Sequence, residues 1–303
     1  MSANQRPIAW EDDFSRNNDD LAPFAKQIDI ASLSLERIKQ LFSRKVAEPI
    51  QEIVDLTAAF AADRYPIPRD EEREGYSVGL DEWYWLSGLV DWLKIRQALE
   101  KYQCWPDRVL EMGAATGRVL RHISVQGKFP EIWATDLNQR HVRWVNEFLH
   151  PSIRCIHNHA LPHLTIADGR LDFFCAFSVF THIDTFETAW IAEMFRVLRP
   201  GGLAMVTFQT EHTWDGLKEL EPKDRRLSVL RKTDWFRDEL LQGPLPAERL
   251  VARHSQVGPY RGMVFHHTSL IRKSWGKYFE ILDLIPMYHG QDQSVAIFRK
   301  TPN

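Results

Sequence analysis

The spacing of apolar residues divides the chain into a helical N-terminal part and an alternating C-terminal part. Over 32–64, apolar residues recur every three or four positions, which predicts helix, and the two prolines within 65–68 end it. The segment 81–102 repeats this spacing and predicts a second helix. The first thirty residues have weak periodicity and are expected to form an irregular arm.

After residue 108, short apolar runs alternate with helical patterns. Strands are predicted at 109–112, 132–135, 153–156, 171–177 and 203–208, with helices at 119–125, 139–149 and 190–198. Strands that alternate with helices form right-handed βαβ units and a parallel sheet. Two further strands, 279–287 and 294–299, are joined by so short a link that an antiparallel pair is expected. Pro286 predicts that the first of the pair is an edge strand.

The segment 211–262 interrupts this rhythm. It is rich in charged residues and has Pro and Gly near its end, and we interpret it as an inserted, mostly helical cap. The pattern thus predicts three parts: a helical N-terminal region or lid (1–104), an α/β domain formed by 105–210 and 263–303, and the inserted cap (211–262) over the substrate site.

A glycine-containing turn joins the first predicted strand to the helix that follows it. The residues are Glu111-Met112-Gly113-Ala114-Ala115-Thr116-Gly117-Arg118. Glycines let a backbone turn tightly and approach a ligand, and a helix N-terminus adds free N–H groups. Asp136 ends the second strand, where an acid can accept hydrogen bonds from both hydroxyls of a ribose. A dinucleotide-binding turn would need Gly at positions 115 and 118, and Glu111 would repel a pyrophosphate.

These segments resemble the class I, Rossmann-like methyltransferases that use S-adenosylmethionine, of the type that acts on small molecules. VLEMGAATGRVL is similar to their first motif, with Ala115 in place of the middle glycine, and ATDLN is similar to their second. LDFFCAFSVFTHI and FRVLRPGGLAMVTF resemble the fourth-strand and fifth-strand segments. The resemblance covers 105–210 and 265–300. It implies a seven-stranded, mostly parallel sheet that ends in an antiparallel pair.

The resemblance also implies a cofactor, S-adenosyl-L-methionine, and a set of residues that bind it. In the family, the first acid lies near the cationic methionine end of the cofactor, the second binds ribose, and the loop after strand three covers adenine. The implied cofactor residues are Glu111, Gly113, Ala115, Gly117, Asp136, Leu137, Asn158, His159, Ala160, Phe177 and Ser178.

Candidates for the acceptor site come from the segments that the resemblance does not cover and from the loops at the carboxyl edge of the sheet. Arg261 could bind a substrate carboxylate through a bidentate pair. His182 could act as a base or fix its loop through a backbone hydrogen bond; His266 and His267 are further candidate bases. The candidate substrate-binding residues are Tyr76, Trp83, Tyr84, Tyr260, Arg261, Tyr288 and His289.

Composition narrows the function classes. The formal net charge of −3 gives no basic track for nucleic acid. Three separated cysteines without a C-x-x-C pair favour reduced thiols, and neither a signal peptide nor a membrane span is evident, so we expect a cytoplasmic protein. A homodimer could form through the N-terminal helices. The spacing of His157, His159 and His163 is interrupted by Pro162, and no metal site is expected.

The expected reaction is methyl transfer to a small polar, amino-acid-like metabolite. Sulfur and nitrogen acceptors are favoured, a methionine-like thioether among them, because aromatic side chains would stabilise a cationic product. An O-methyltransferase of a phenol or a carboxylate is the alternative. Outside that class, a non-catalytic protein that binds S-adenosylmethionine and a nicotinamide-dependent oxidoreductase remain open.

Overall fold

The N-terminal region is built from separate helices. The computed structural model describes residues 22–46, 50, 54–253, 260–290 and 292–301. Helix α1 spans Leu35–Lys45 and α2 spans Leu56–Ala62. The continuous helix predicted over 32–64 is wrong, because Val46 and Asp55 both take extended backbone angles. The Asp55 side chain accepts a hydrogen bond from the N–H of Ala58 and so starts α2 as an N-cap.

Helix α3, Asp81–Lys101, joins this region to the rest of the protein. It agrees closely with the predicted helix and is buried along most of its length. The fully buried Asp63 carboxylate accepts hydrogen bonds from Trp85 Nε1 in α3 (2.9 Å) and from Arg121 Nε (2.7 Å). The N-terminal helices therefore pack on the α/β domain through a buried ion pair.

The central sheet has the order β3-β2-β1-β4-β5-β9-β8. Its strands are β1 Arg108–Met112, β2 Glu131–Asp136, β3 Ile153–His157, β4 Leu171–Ala176, β5 Leu198–Thr210, β8 Phe279–His289 and β9 Gln293–Lys300. The first five are parallel, and β9 runs antiparallel to both β5 and β8. Strand β8 pairs only with β9, as Pro286 predicted. This is the Rossmann-like sheet expected from the sequence.

Helices cover both faces of the sheet. They are α4 Leu120–Gln126, α5 Gln139–Phe148, α6 Glu187–Val197 and α9 Thr268–Ser274. Every residue of β4 is buried, as its nearly continuous apolar run predicts for a central parallel strand. The carboxyl ends of β1, β2, β4 and β5 consequently meet at one edge, where ligands bind in open α/β sheets.

The insertion is not mostly helical, in contrast to the prediction. It contains α7 Glu211–Leu217 and α8 Arg225–Leu230, but also an antiparallel hairpin of β6 Arg249–Arg253 and β7 Gly262–His266. Strand β7 lies parallel to the end of β5 and so extends the sheet. A separate apolar core joins these elements, with Trp214, Leu227, Phe236 and Phe265 among its buried members.

None of the described helices combines the length and the apolar character needed to cross a bilayer.

Candidate cofactor and acceptor site

The turn after β1 is tight because three of its residues adopt left-handed backbone angles. Gly113, Ala115 and Gly117 have φ values of 70°, 47° and 76°. A Cβ on Gly113 would lie 2.4 Å from Cγ2 of Val179, and one on Gly117 would lie 2.4 Å from Cδ1 of Leu149. Ala115 is the exception among the three, since a methyl group in this region costs about 1–2 kcal/mol. The turn therefore keeps its shape even without the middle glycine.

Asp136 connects this turn to the end of β2. Its Oδ2 accepts a hydrogen bond from the N–H of Ala115 (2.7 Å), and its Oδ1 accepts one from the N–H of Asn138 (2.8 Å). His141 Nδ1 lies 3.5 Å from Oδ1. The carboxylate is thus held beside the backbone that approaches the ligand, which is the position required of a ribose-binding acid.

Glu111 is a buried acid with one carboxyl oxygen that has no partner. Its Oε2 has no hydrogen-bond partner among the residues that the structure describes. Burial raises the pKa of Glu111 to about 8, against the opposing effect of Arg118. An unpaired carboxylate beside the Gly-rich turn fits a cationic group of the ligand, and the methionine end of S-adenosylmethionine carries one. The residues present therefore fit this cofactor.

The loop after β3 folds back onto the end of β2. The N–H of Asn158 donates to the carbonyl of Asp136 (3.1 Å), and its Nδ2 donates to the carbonyl of His159 (3.0 Å). His157 Nε2 contacts the carbonyl of Leu137 (3.0 Å). The loop expected to cover adenine, with Asn158, His159 and the buried Ala160, therefore lies against the end of β2.

Residues 69–80, called the strap below, lie across the Gly-rich turn. Thr116 Oγ1 donates to the carbonyl of Glu72 (2.8 Å), and the Glu72 carboxylate pairs with Arg140 at the start of α5 (Nε to Oε1, 2.8 Å). A small pocket lies beneath it. Its lining includes Arg73, Tyr76, Tyr84, Glu111, Gly113, Ala115, Arg118 and Phe177. Tyr76 and Tyr84, two of the candidate substrate-binding residues, both line this pocket, whereas the sequence did not single out Arg73 or Arg118.

Polar side chains follow the ends of β4 and β5. The N–H of Ser178 donates to Thr207 Oγ1 (2.8 Å), and Thr207 Oγ1 donates to Gln293 Oε1 (2.8 Å). Gln293 Nε2 in turn donates to Ser178 Oγ (3.0 Å). Thr207 and Gln293 were not predicted, because the antiparallel register of β5 and β9 brings them together from distant parts of the chain.

A buried charge network lies beside this polar group. Asp91 in α3 forms an ion pair with Arg118 (2.7 Å), lies 3.8 Å from Lys94, and contacts His289 Nδ1 at 3.0 Å. Burial opposes ionisation of Asp91, but His289, Arg118 and Lys94 outweigh it and lower its pKa. The His289 ring packs 5.3 Å from that of Phe177, which lines the pocket.

The three predicted histidine bases have other partners. His182 Nδ1 donates to the carbonyl of Gly262 (2.8 Å), the backbone bond that was one of its two expected roles. His266 is fully buried against Glu187 (Nε2 to Oε2, 2.8 Å). His267 caps α9 by accepting a hydrogen bond from the N–H of Ser269. Neither His266 nor His267 lines the pocket beneath the strap.

The remaining candidates lie around the site rather than in it. The Tyr260 hydroxyl donates to the carbonyl of Ala160 and accepts from Trp190 Nε1 (2.7 Å), so it connects the insertion to the adenine-side loop. Arg261 is exposed. Tyr288 lies beneath Lys94, with 4.7 Å between the ammonium and the ring centroid, and Trp83 lies beneath Lys45 at 4.4 Å.

Among the described residues, no group of three or more His, Cys, Asp or Glu side chains is arranged to hold a metal ion.

Comparison with known proteins agrees with this geometry. Residues 109–202, about a third of the chain, match the sequence model of a family described as a methyltransferase domain. The chain contains a class I, Rossmann-like methyltransferase domain, and it is an enzyme that uses S-adenosylmethionine as its methyl donor. No curated protein sequence matches it significantly.

Solved structures of similar shape include methyltransferases of low sequence identity. One is an S-adenosylmethionine-dependent methyltransferase from Methanosarcina mazei, with 17% identity and a TM-score of 0.45 over 68% of this chain and 98% of that one. Another is the 1,6-didemethyltoxoflavin-N1-methyltransferase of Burkholderia thailandensis, with 12% identity and a TM-score of 0.49 over 85% and 92%. The class assignment rests on the family match, the strand order and the Gly-rich turn.

Proposed function

We propose that this enzyme methylates a small polar metabolite held beneath the strap and the insertion. The observation that carries the proposal is the double cover over the carboxyl edge of the sheet. From the strap, Tyr76 lines the pocket, and its ring lies 4.8 Å from the Arg118 guanidinium. From the insertion, Arg226 pairs with Asp292 in the β8–β9 turn (3.2 Å). A covered site favours an acceptor small enough to be enclosed.

The strap and the insertion also touch each other. A Cβ added to Gly75 would lie 2.9 Å from Nη1 of Arg225 in α8. The two covers therefore meet, which favours an acceptor small enough to enter beside them. This contact supports an enclosed reaction from which water is excluded.

The chain's contribution to the chemistry is alignment and desolvation. Bound S-adenosylmethionine supplies a methyl group on a sulfonium, which is already a good leaving group. Asp136 and the Gly-rich turn would fix the ribose end of the donor, and Glu111 would compensate its positive charge. Phe177 and the Ser178 hydroxyl border the place where the acceptor atom must come within about 3–3.5 Å of the methyl carbon.

The polar side chains that follow Phe177 and pair with Ser178 support a polar acceptor. Ser178, Thr207 and Gln293 offer hydroxyl and amide groups, while Tyr76 and Phe177 offer ring faces that would stabilise a methylated cation. We propose an amino-acid-like metabolite with a nitrogen or sulfur acceptor. Arg261 would bind its carboxylate at the exposed rim of the insertion, and Arg261→Ala should then raise KM for the identified substrate.

A metabolite screen tests the proposal. Purified protein is incubated with S-adenosylmethionine and pools of amines, thioethers, phenols and amino acids, and release of S-adenosylhomocysteine is measured. Turnover with at least one small metabolite is expected, and Asp136→Ala protein is the inactive control. Methyl transfer to a protein or nucleic acid fraction alone would overturn the small-molecule assignment.

A further inference from the structure

The buried charge network beside the pocket contains an Asp–His pair, of which the sequence offered His289 as a candidate substrate-binding residue but not Asp91. His289 ends β8, and Asp91 lies near the middle of α3, so the two residues are 198 positions apart. Both are buried, with 6% and 4% of their surface exposed. His289 Nδ1 lies 3.0 Å from Asp91 Oδ1, and because a carboxylate can only accept, Nδ1 carries the proton.

That hydrogen bond fixes the tautomer of the imidazole. When Nδ1 is the donor, the neutral ring presents a lone pair at Nε2. Within the described part of the chain, the hydrogen bond recorded for this ring is the one at Nδ1. A histidine oriented by a carboxylate at one nitrogen and available at the other has the arrangement of a general base.

The position of the ring relative to the cofactor pocket supports this role. Its centroid lies 5.3 Å from that of Phe177, which lines the pocket together with Glu111 and the Gly-rich turn. Arg118 lines the same pocket and pairs with Asp91. The imidazole therefore packs against Phe177, the first residue after β4, at the edge of the pocket.

We propose that His289 is the general base of the methyl transfer and that Asp91 is the residue that positions it. This inference rests on the proposed function and refines it. A general base is useful only to an acceptor that must lose a proton, so the inference favours a hydroxyl or an ammonium acceptor over a thioether. His289 Nε2 takes the acceptor proton, from a hydroxyl during the attack and from an ammonium before it, because an ammonium has no lone pair until it is deprotonated. The acceptor lone pair forms the new bond to the methyl carbon, and the C–S electron pair remains with sulfur.

The charged groups around the pair suit this step. Two cations approach Asp91: Arg118 from the Gly-rich turn and Lys94 from α3 itself. Asp292 of the β8–β9 turn faces His289 and is itself paired with Arg226 of the insertion. Tyr76 of the strap and Glu111 of β1 face Arg118. Arg118 and Lys94 keep Asp91 ionised, so it can stabilise the imidazolium that the step creates.

The first measurement does not require turnover. Nitrogen-15 NMR of the imidazoles in the ligand-free protein should show His289 with the proton on Nδ1, and Asp91→Asn should remove that preference, since an amide can donate as well as accept. A neutral His289 with its proton on Nε2 would overturn the proposal.

The second measurement uses whichever acceptor the screen identifies, whether small or large. The base assignment can therefore be tested even if the acceptor is a macromolecule and the proposed function fails. Single-turnover rates of the wild type should rise with pH as a base loses its proton. His289→Gln should lower the rate by about 10²–10⁴-fold and abolish that rise, with an unchanged Kd for S-adenosylhomocysteine. The exposed His212→Gln is the matched control and should keep wild-type rates.

Three outcomes of the second measurement would overturn the base assignment. They are a thioether as the preferred acceptor, a pH profile that persists in His289→Gln, and a profile that is abolished by His182→Gln instead. Thermal melts of each variant, with and without S-adenosylhomocysteine, would distinguish a lost base from a lost fold.

Discussion

The carboxylate of Asp136 accepts a hydrogen bond from the backbone N–H of Ala115 at 2.7 Å. The acid at the end of β2 and the turn after β1 therefore form one unit. Ligand hydroxyls that bind Asp136 are brought against the same backbone, and this coupling makes the acid the most informative position for testing the cofactor site.

We expect Asp136→Ala to reduce the affinity for S-adenosylhomocysteine at least a hundredfold. Two hydrogen bonds from ribose hydroxyls to a carboxylate would be lost, at about 1.5–3 kcal/mol each. Titration calorimetry measures the effect. The exposed Asp234→Ala is the matched control and should bind as the wild type does. Unchanged affinity in Asp136→Ala would remove the assignment of this acid to the ribose.

Ala115→Gly should stabilise the protein by up to about 1 kcal/mol. Ala115 has φ of 47°, and the relief of a left-handed alanine outweighs the added freedom of glycine in the unfolded chain. Urea unfolding measures the difference in free energy. The neighbouring buried Ala114, whose φ is not positive, supplies the control, and Ala114→Gly should be destabilising. A loss of stability in Ala115→Gly would contradict the strain described here.

Glu111 should make the ligand-free protein less stable as the pH rises. Burial raises its folded-state pKa to about 8, whereas in the unfolded chain it titrates near 4.5. Between these values the folded state binds a proton that the unfolded state has released, so the free energy of unfolding falls with increasing pH across this window. The stabilisation is fully present below about pH 4.5 and is lost once the pH passes about 8.

Urea unfolding at pH 6, 7 and 8 measures this slope, and Glu111→Gln is the comparison. The amide cannot ionise, so its slope should be smaller by on the order of 1 kcal/mol per pH unit. S-adenosylhomocysteine, through its ammonium group, should weaken the dependence in the wild type by favouring the carboxylate. Parallel slopes for the two proteins would show that another group controls the pH dependence.

The parts of the site that the sequence predicted are those whose signals are local. Glu111, the glycines and Asp136 lie at or just after strand ends within a stretch of fewer than thirty residues. Gln293 and Asp91 were missed because long-range packing alone brings them beside Ser178 and Arg118. His266 looked chemically available in the sequence, but its partner Glu187 lies 79 positions away. The β6–β7 hairpin was not predicted because β6 begins and ends with an arginine, Arg249 and Arg253, and so lacks the apolar pattern of a strand.

Glu72→Gln should weaken cofactor retention, because Glu72 holds the strap closed. Its carboxylate accepts hydrogen bonds from Arg140 Nε at 2.8 and 2.9 Å, while its carbonyl accepts one from Thr116. The loss of a hydrogen bond to a charged group costs about 1.5–3 kcal/mol, so we expect Kd for S-adenosylhomocysteine to rise about tenfold or more, chiefly through faster dissociation. Stopped-flow fluorescence measures the off-rate.

The adjacent exposed Glu71→Gln is the matched control and should release the ligand at the wild-type rate. If Glu72→Gln and Glu71→Gln release the ligand equally fast, the strap does not close the cofactor pocket.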